Sequence, residues 1–387
     1  MRGTALRPLS ASRVVSGQNL SIADIYFRKR SQNADLFGNS EINPYFRGVV
    51  TVTGSTGIVG TRLVFDLLKG GHSVRAVKRR GSDTEFMRRV FRFYDPERGE
   101  ALFGKIEWAE ADLLDIAALE AAFSGADTVY HAAAMVSYRA ADARRMMAVN
   151  AEGTANAVNI AADAGVRKFC HISSVAAVGK PAKGPATEET PWKGRDSRSV
   201  YGLTKRIAER EVWRISAEGM PCVIVNPSIV LGPAKADQSS GMLLDLLRRG
   251  SVFSPTGTAG FTDVRDVSAA AVALTESDIA DERFIINAEN VAYRDLLNWA
   301  AEAFGNPPPR FTAGPLLLEA AWPAAAVMRF LFGKGPQMTK ETARNASAKI
   351  AYDNTKVRAT TGIDFIPVRE SLHYLRGFFA ERAGESS

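Results

Sequence analysis

The sequence has few of the residues that build disulfide or metal frameworks, with two cysteines and four histidines among 387 residues. Cys170 and Cys222 each lie in a short β-branched apolar run, which is typical of a buried free thiol in a reducing compartment. The histidines show no ligand spacing, so we predict no metal site. This scarcity argues against a disulfide-stapled secreted domain, and we expect a cytoplasmic protein.

Long apolar runs are also absent, because no stretch approaches the roughly 20 apolar residues that a membrane-spanning helix needs. The nearest, residues 316–332, is interrupted by Glu319, Pro323 and Arg329. We interpret it as a core or substrate-domain helix, with a position on a membrane surface as the alternative. We therefore predict no membrane contact.

Charge of one sign is not concentrated anywhere. The net charge is +7 and the pI near 9.4, but the 49 Lys and Arg residues are spread among 42 Asp and Glu residues. No basic stretch is interleaved with stacking aromatic residues, so we predict no nucleic-acid partner. A mildly basic surface would suit a phosphate-bearing ligand.

Acidic residues are missing from the first 20 positions, which include Arg2, Arg7 and Arg13. This composition is similar to that of a transit peptide, although no amphipathic periodicity accompanies it. A disordered tail and a start codon assigned too far upstream are equal alternatives. We treat residues 1–47 as an N-terminal extension without an assigned role.

From Gly48 onward, short β-branched runs alternate with helical stretches. The predicted strands are 49–53, 73–77, 106–108, 128–131, 168–172 and 222–226. The predicted helices are 58–69, 116–123, 143–164 and 200–217. Such alternation implies right-handed crossovers and a doubly wound parallel sheet covered on both faces, an α/β fold.

After about Leu231 the alternation gives way to helical segments broken by Gly- and Pro-rich turns. These predicted helices are 242–249, 267–275, 294–304 and 316–331. We therefore divide the chain into an α/β domain, 48–232, and a smaller, mostly helical C-terminal part, 233–387. We expect the two to share some strands and helices.

A glycine pattern, Gly54-Ser55-Thr56-Gly57-Ile58-Val59-Gly60, joins the first predicted strand to the first helix. Gly54 permits a tight turn, Gly57 lets the backbone approach a pyrophosphate, and Gly60 lets helix and strand pack closely. The helix N-terminus adds unpaired amides and the positive end of its dipole. The pattern predicts a dinucleotide site, the alternative being a glycine-rich connection that binds nothing.

The second predicted strand ends in Lys78-Arg79-Arg80, and no acid follows before Asp83. A carboxylate at this place would bind the ribose 2′-hydroxyl of NAD(H), whereas an arginine fork matches the 2′-phosphate of NADP(H). NADP(H) is therefore favoured over NAD(H). The alternative is a solvent-exposed basic turn, which would leave the preference undetermined.

Two further strand ends carry candidate ligand contacts. Asp112, followed by Leu113, could accept a hydrogen bond from an adenine amino group or cap the next helix. After the fourth predicted strand come Ala132, Ala133 and Ala134, whose small side chains would let a ribose pack against the backbone.

Tyr201 and Lys205 lie four residues apart at the start of a predicted helix and therefore share one face. The lysine cation favours ionisation of the phenol, which can then pass a proton to or from a carbonyl or alcohol oxygen. The same ammonium can hold the nicotinamide ribose. Ser174 follows the fifth strand and could orient the substrate oxygen, whereas for Ser173 we favour a turn-forming hydroxyl that satisfies backbone amides.

Taken together, the chain resembles the extended short-chain dehydrogenase/reductase superfamily, the NAD(P)-dependent epimerase/dehydratase family. The resemblance covers roughly Gly48 to the C-terminus and implies a Rossmann-type fold with a C-terminal substrate-binding part. It rests on the glycine pattern, Asp112-Leu113, His131-Ala132-Ala133-Ala134, Asn150 before Gly153-Thr154, Ser174, Tyr201 with Lys205, and Asn226-Pro227-Ser228-Ile229-Val230-Leu231-Gly232-Pro233. It implies that Pro227, Ser228, Ile229 and Val230 bind the nicotinamide carboxamide, and that Asn150 is structural or orders the lysine.

Within the superfamily, the sequence is most similar to the branch of dihydroflavonol reductases and 3β-hydroxysteroid dehydrogenases. In that branch the arginine that ends the second strand, here Arg79, holds the 2′-phosphate. Sugar-nucleotide epimerases carry an arginine where this chain has Ala259-Gly260-Phe261, and dehydratases carry Thr-Asp-Glu where it has Ser174-Val175-Ala176. Both departures weaken the sugar-nucleotide interpretation.

The sequence therefore predicts an NADP(H)-dependent oxidoreductase that transfers hydride between nicotinamide and a carbonyl or secondary alcohol of a fairly apolar small molecule. Tyr201 is the general acid/base, Ser174 orients the oxygen, and Lys205 tunes Tyr201 and anchors the ribose. Candidate substrate contacts are Met135, Val136 and Tyr138, and a homodimer is possible. The alternatives are a sugar-nucleotide epimerase or dehydratase with retained NAD and a non-catalytic NADP-sensing protein.

Overall fold

The computed structural model describes residues 48–137, 139–193, 199–235, 239–319 and 340–384. The N-terminal extension, Tyr138 and most of the apolar run 316–332 lie outside this part of the chain. Within it, no helix is long and apolar enough to cross a membrane. Nor does any group of three or more His, Cys, Asp or Glu residues there stand in a position to hold a metal ion.

A seven-stranded sheet forms the centre of the molecule, and every strand pair in it is parallel. Its strands are β1 (Val49–Thr53), β2 (Val74–Lys78), β3 (Glu107–Glu110), β4 (Ala126–His131), β5 (Lys168–Ile172), β6 (Cys222–Pro227) and β10 (Glu282–Ile286). Their spatial order is β10-β6-β5-β4-β1-β2-β3, which reverses beside β1. In doubly wound sheets, ligands bind at such a switch point. The all-parallel order confirms the predicted α/β fold.

Helices cover both faces of this sheet. In chain order, the α-helices of the described residues are α1 (Ile58–Lys69), α2 (Thr84–Tyr94), α3 (Gly99–Phe103), α4 (Ile116–Phe123), α5 (Ala143–Met147), α6 (Gly153–Asp163), α7 (Val200–Ala217), α8 (Ser239–Arg249), α9 (Val264–Thr275), α10 (Tyr293–Phe304), α11 (Lys340–Ser347), α12 (Thr355–Thr361) and α13 (Val368–Gly384). One apolar core joins α1 and α9 to the sheet. The other face packs against α4, α6 and α7.

The chain from residue 229 onward builds more sheet than its sequence indicated. The added strands are β7 (Ile229–Leu231), β8 (Phe253–Pro255), β9 (Thr258–Asp263), β11 (Glu289–Ala292) and β12 (Phe311–Ala313). They form a sheet in the order β11-β9-β7 and the pair β12-β8, while β10 joins the main sheet. The division of the chain at residue 232 stays a prediction. Strands from the two sides of this position pair with each other, and one apolar core contains residues from both sides.

The predicted helix 143–164 is wrong as one continuous element, because a π-helical turn at Ala148–Glu152 separates α5 from α6. The hydroxyl of Thr154 donates to the carbonyl oxygen of Asn150 over 2.6 Å, in competition with the regular backbone ladder. Such single π turns are frequent at functional sites. This one places the buried Asn150 side chain toward the loop that follows β4.

Both cysteines are buried and unpaired, as predicted. Burial raises the pKa of each thiol to about 12. Both side chains therefore stay protonated at neutral pH and serve as small apolar groups of the core.

Candidate active site

The turn after β1 is shaped by close backbone approaches. Gly54 has a φ of +64°, and a Cβ there would lie 2.5 Å from the backbone nitrogen of Ala133. A Cβ on Gly60 would collide with the carbonyl oxygen of Gly54. The glycine pattern therefore forms the tight turn that the sequence indicated, pressed against the residues that follow β4.

The N-terminus of α1 is open to an anion. Gly57 is the N-cap, no side chain caps the helix, and its first turn carries no acidic residue. The free amides and the helix dipole therefore favour a phosphate at this end. Ser55 is buried, and its hydroxyl donates to the carbonyl oxygen of Val77 over 2.8 Å. Its side chain thus ties the turn to β2, while Thr56 and Ile58 are half-buried and Val59 is buried.

Beside this turn, β2 ends in the cations noted in the sequence. The ammonium of Lys78 lies 3.5 Å from Glu110 Oε2. Arg79 is exposed, and within the described ranges no hydrogen bond or ion pair engages its guanidinium. Asp83 caps α2 and forms a 2.6 Å ion pair with Lys235. The Arg79 guanidinium is therefore available to an anion next to the dinucleotide turn.

Asp112 is exposed beyond β3, where its Oδ1 accepts a 3.0 Å hydrogen bond from the backbone of Leu114. The cap of α4 is Asp115, so the alternative in which Asp112 caps this helix is wrong. Leu113 is buried and lies against Gly153, where a Cβ would stand 2.8 Å from the Leu113 Cβ. Leu113 thus packs at the start of α6.

The loop after β4 lies between the glycine turn and α7. The amide of Ala132 donates to the Thr53 carbonyl oxygen over 3.2 Å, and Ala134 is exposed. The Asn150 side chain accepts from the amide of Met135 over 2.7 Å and donates to its carbonyl over 2.8 Å. Val136 is exposed next to it. Asn150 thus fixes the loop that the sequence assigned to substrate.

The turn that carries Ser174 meets the first turn of α7. Ser174 begins a short 3₁₀ turn, Val175–Ala177, and its hydroxyl oxygen accepts from the Ala176 amide over 3.1 Å. A Cβ on Gly202 would stand 2.8 Å from the Ala176 carbonyl oxygen. Position 202 must therefore be glycine for the Ser174 turn to approach the start of α7. Tyr201, the residue before Gly202, is half-buried there.

Ser173 does not cap a turn, which corrects the sequence interpretation. Its hydroxyl donates over 2.6 Å to Oε1 of Glu209, a fully buried carboxylate of α7. Burial raises the pKa of Glu209, and hydrogen bonds from Ser173 and Asn226 oppose that rise. The hydroxyl that accepts a hydrogen bond from a backbone amide of the turn is that of Ser174, whose own proton this bond leaves unused.

Lys205 points into the protein from α7 and is 1% exposed. Its ammonium donates to the carbonyl oxygen of Ile172 over 2.8 Å. Burial lowers the pKa of this lysine to about 8, while the negative charge of Glu209 acts in the opposite direction. Lys205 is therefore a cation held in a water-poor site at neutral pH.

The segment Pro227, Ser228, Ile229 and Val230 crosses from β6 into β7. The amide of Ser228 donates to the Ile286 carbonyl oxygen over 2.9 Å. Its hydroxyl is buried and has no hydrogen-bond partner among the described residues. An unpaired hydroxyl at the end of a parallel strand is consistent with a ligand contact there.

The sequence interpretation missed a polar bridge beneath the serine. Asn226 donates to the carbonyl oxygen of Ser174 over 2.9 Å and to Glu209 over 2.6 Å. Arg283, from β10, approaches Glu209 to within 3.4 Å and also donates to the backbone of Glu188. The spacing of Glu209 four residues after Lys205 could have drawn attention to it. No sequence signal links Arg283 to the site.

The helix N-terminus, the basic strand end and the adjoining Ser174 and Tyr201 turns together define a dinucleotide-binding α/β enzyme. Residues 50–287 match the model of the NAD dependent epimerase/dehydratase family. The chain belongs to this family and is an NAD(P)-dependent oxidoreductase of the extended short-chain dehydrogenase/reductase superfamily.

Individual relatives are similar over most of their lengths. Sterol demethylase protein B of Methylococcus capsulatus is 30% identical over 86% of this chain and 98% of its own. Cinnamoyl-CoA reductase 1 of Petunia hybrida is 32% identical over 64% of this chain and 74% of its own. The crystal structure of gox2253 superposes with a TM-score of 0.71 at 28% identity, covering 86% of this chain and 98% of that one.

Proposed function

We propose that this protein is an NADP(H)-dependent oxidoreductase that transfers hydride between nicotinamide and a carbonyl or secondary alcohol of a fairly apolar small molecule. The observation that carries the proposal is the close approach of the Ser174 turn to the start of α7, which Gly202 permits. It brings the serine close to the helix turn that begins with Tyr201 and, one turn later, carries Lys205.

Each of these residues has a distinct task. Tyr201 gives a proton to the carbonyl oxygen or takes it from the alcohol. Ser174 donates a hydrogen bond to the same oxygen, because its own oxygen accepts from Ala176 and its proton is left for the substrate. Lys205 supplies positive charge beside the phenol and donates to the ribose hydroxyls. Bound NADP(H) would supply or accept the hydride.

Three features support the cofactor assignment. The first is the uncapped N-terminus of α1, where the pyrophosphate would lie. The second is the exposed guanidinium of Arg79, placed for the 2′-phosphate. The third is Asp112 at the end of β3, within whose reach an adenine amino group would fall. Leu113, Ala132, Ala133 and Ala134 would line the adenosine side, and Pro227, Ser228, Ile229 and Val230 the nicotinamide side.

Met135 and Val136 would contact the substrate, which favours an apolar molecule. The names of two relatives agree with that chemistry, since one is sterol demethylase protein B and the other is cinnamoyl-CoA reductase 1. We therefore place the substrate among ketosteroids, aromatic carbonyl compounds and flavanonols rather than among sugar nucleotides.

The test follows nicotinamide fluorescence when the purified protein is mixed with NADPH or NADH and then with a panel of aldehydes, ketosteroids, flavanonols and nucleotide sugars. We expect NADPH consumption with one class of apolar carbonyl compound. Tyr201→Phe should lose at least about 100-fold in turnover, because general acid/base catalysis contributes this much. The affinity for NADPH should stay within a few-fold.

Tyr374→Phe is the matched control, since Tyr374 lies on α13, where its ring packs against Phe93 and the guanidinium of Arg265. It should keep the wild-type rate. Equal activity of Tyr201→Phe and wild type would contradict the proposal. NADPH binding without turnover of any carbonyl would favour a cofactor-sensing protein, and nicotinamide that survives purification without exchange would favour an epimerase.

A further inference from the structure

The interior side of Lys205 is held by the last two residues of β5. Its ammonium donates to the Ile172 carbonyl oxygen and lies 3.4 Å from Nε2 of His171. His171 is fully buried and precedes Ser173 by two positions in the chain. Among the described residues, the imidazole of His171 is thus a side-chain partner of the Lys205 ammonium.

His171 is itself held in place by a second imidazole. Its ring stacks on that of His131, with the centroids 5.4 Å apart and the planes at 20°. His131 lies 2.8 Å from the hydroxyl of Thr53 through Nδ1 and 3.1 Å from the hydroxyl of Thr154 through Nε2. Thr53 immediately precedes Gly54. The two rings thus connect the strand that leads into the dinucleotide turn with the ammonium of Lys205.

Both imidazoles are neutral in the folded protein. Burial lowers the pKa of His131 to about 3 and that of His171 well below its usual value, and the Lys205 cation lowers both further. An ammonium can only donate hydrogen bonds, whereas a neutral imidazole accepts at one nitrogen. His171 Nε2 is therefore the acceptor, and the ring proton lies on Nδ1.

Asn150 does not serve Lys205 in this way. Its amide group bonds the backbone of Met135 and the hydroxyl of Thr204. Its side chain therefore fixes the substrate loop and the neighbour of Lys205, not the ammonium. The acceptor side of the lysine is left to β5.

We propose that His171 is a positioning residue that accepts a hydrogen bond from Lys205 and keeps this lysine as an ammonium directed toward the ribose and Tyr201. The inference rests on the proposed function. Two of the three ammonium protons are engaged by Ile172 and His171, and the third remains for the cofactor side. Loss of the imidazole acceptor would favour the neutral amine, because a buried cation needs its hydrogen bonds.

The test compares His171→Met with His171→Gln, two side chains of nearly equal length. Only glutamine offers a strong acceptor near the place of Nε2, since a thioether sulfur accepts weakly. The titratable groups coupled electrostatically to Lys205 are Glu209 on its own helix, His171 on β5 and His131 on β4, and both variants leave Glu209 and His131 unchanged. Since the active form is the ammonium, kcat/KM should fall as pH rises through the lysine pKa.

In His171→Met this basic limb should move to lower pH by about one unit, because an acceptor for a charged donor is lost. His171→Gln should restore the wild-type limb. A role in packing alone would lower kcat/KM equally at every pH, and an unshifted limb in folded His171→Met would overturn the inference.

The pH dependence of NADPH affinity provides a readout that needs no turnover. If Lys205 holds the ribose as an ammonium, affinity should weaken above the lysine pKa, and earlier in His171→Met than in His171→Gln. Wild-type protein that binds NADPH but reduces no carbonyl would remove the proposed reaction and leave this comparison intact. Identical affinity profiles for the two variants would remove the role of His171.

Discussion

Two ionisable side chains of α7, Lys205 and Glu209, are buried at this site and depend on the polar groups around them. Lys205 is a buried cation, while Glu209, four residues later, is a buried carboxylate satisfied by Ser173 and Asn226. No hydrogen bond or ion pair joins the Glu209 carboxylate to the Lys205 ammonium in the described part of the chain. The negative charge of Glu209 nevertheless offsets part of the cost of burying the ammonium. At the cofactor end, the residue that we propose to set the dinucleotide preference is the exposed Arg79.

Arg79→Ala tests that decision. If Arg79 holds the 2′-phosphate, the variant should bind NADPH about 10- to 100-fold more weakly, since a hydrogen bond to a charged group contributes about 1.5–3 kcal/mol. NADH affinity should change less than two-fold. Fluorescence titration of both dinucleotides measures the difference.

Arg98→Ala is the control, because Arg98 is also exposed but lies in the segment between α2 and α3 rather than at the end of β2. It should leave both affinities unchanged. A parallel loss for NADPH and NADH in Arg79→Ala would show that Arg79 contributes only general surface charge.

At the scale of elements, the site depends on where helices begin. The hydroxyl of Ser199 caps α7 by accepting from the Gly202 amide over 3.1 Å, which fixes the start of the helix that carries Tyr201. The opposite surface is the 3₁₀ turn after β5, whose Ser174 carbonyl is held by Asn226. Close backbone contact between these two elements brings Tyr201, the proposed acid/base residue, near Ser174.

Gly202→Ala should separate the two elements. The new methyl group would overlap the Ala176 carbonyl oxygen, and overpacking of this kind costs about 1–3 kcal/mol. We expect turnover to fall at least about 10-fold, with NADPH affinity nearly unchanged, as measured by single-turnover reduction and fluorescence titration.

Gly377→Ala is the matched change on α13, where a Cβ would meet only a Phe93 ring atom at 3.4 Å. It should keep full activity and should not destabilise the protein, since alanine is the better helix former. Full activity in Gly202→Ala would mean that the contact does not position the site.

On the scale of the whole molecule, residues beyond 232 complete the α/β sheet. β10 pairs with β6, and Val264, Val267 and Leu274 of α9 enter the core that α1 shares with the sheet. Arg283 of β10 reaches Glu209 beneath the serine. The C-terminal residues therefore stabilise the dinucleotide-binding half and support its catalytic end.

A fragment of residues 48–232 tests this dependence. Without α9 it would expose one apolar face of the sheet, so we expect no cooperative thermal unfolding, whereas residues 48–387 should unfold in one cooperative transition. Circular dichroism during heating measures both. A fragment that melts cooperatively within a few degrees of the longer chain would instead support two independent domains.

The alternation of strands and helices from Gly48 to Leu231 was sufficient to predict six of the seven strands of the main sheet, because parallel strands buried on both faces need β-branched runs separated by covering helices. The limits of α1, α4 and α7 agree with the prediction to the residue. The glycine pattern predicted the tight turn after β1, because close backbone approaches there require glycine. The spacing of Tyr201 and Lys205 predicted that both lie on one face of α7, and their roles stay predictions.

The contacts between distant segments could not be predicted in this way. The return of β10 to the main sheet, the bridge from Arg283 to Glu209 and the stacking of His131 on His171 join residues far apart in the chain. Ser173 was misread for the same reason, because its partner, Glu209, lies 36 residues away. Local propensity determined strands β1 to β6 and the limits of α1, α4 and α7, together with the glycine turn after β1. Only the tertiary structure decided which buried polar groups satisfy one another, since burial and pairing are set by how the elements pack.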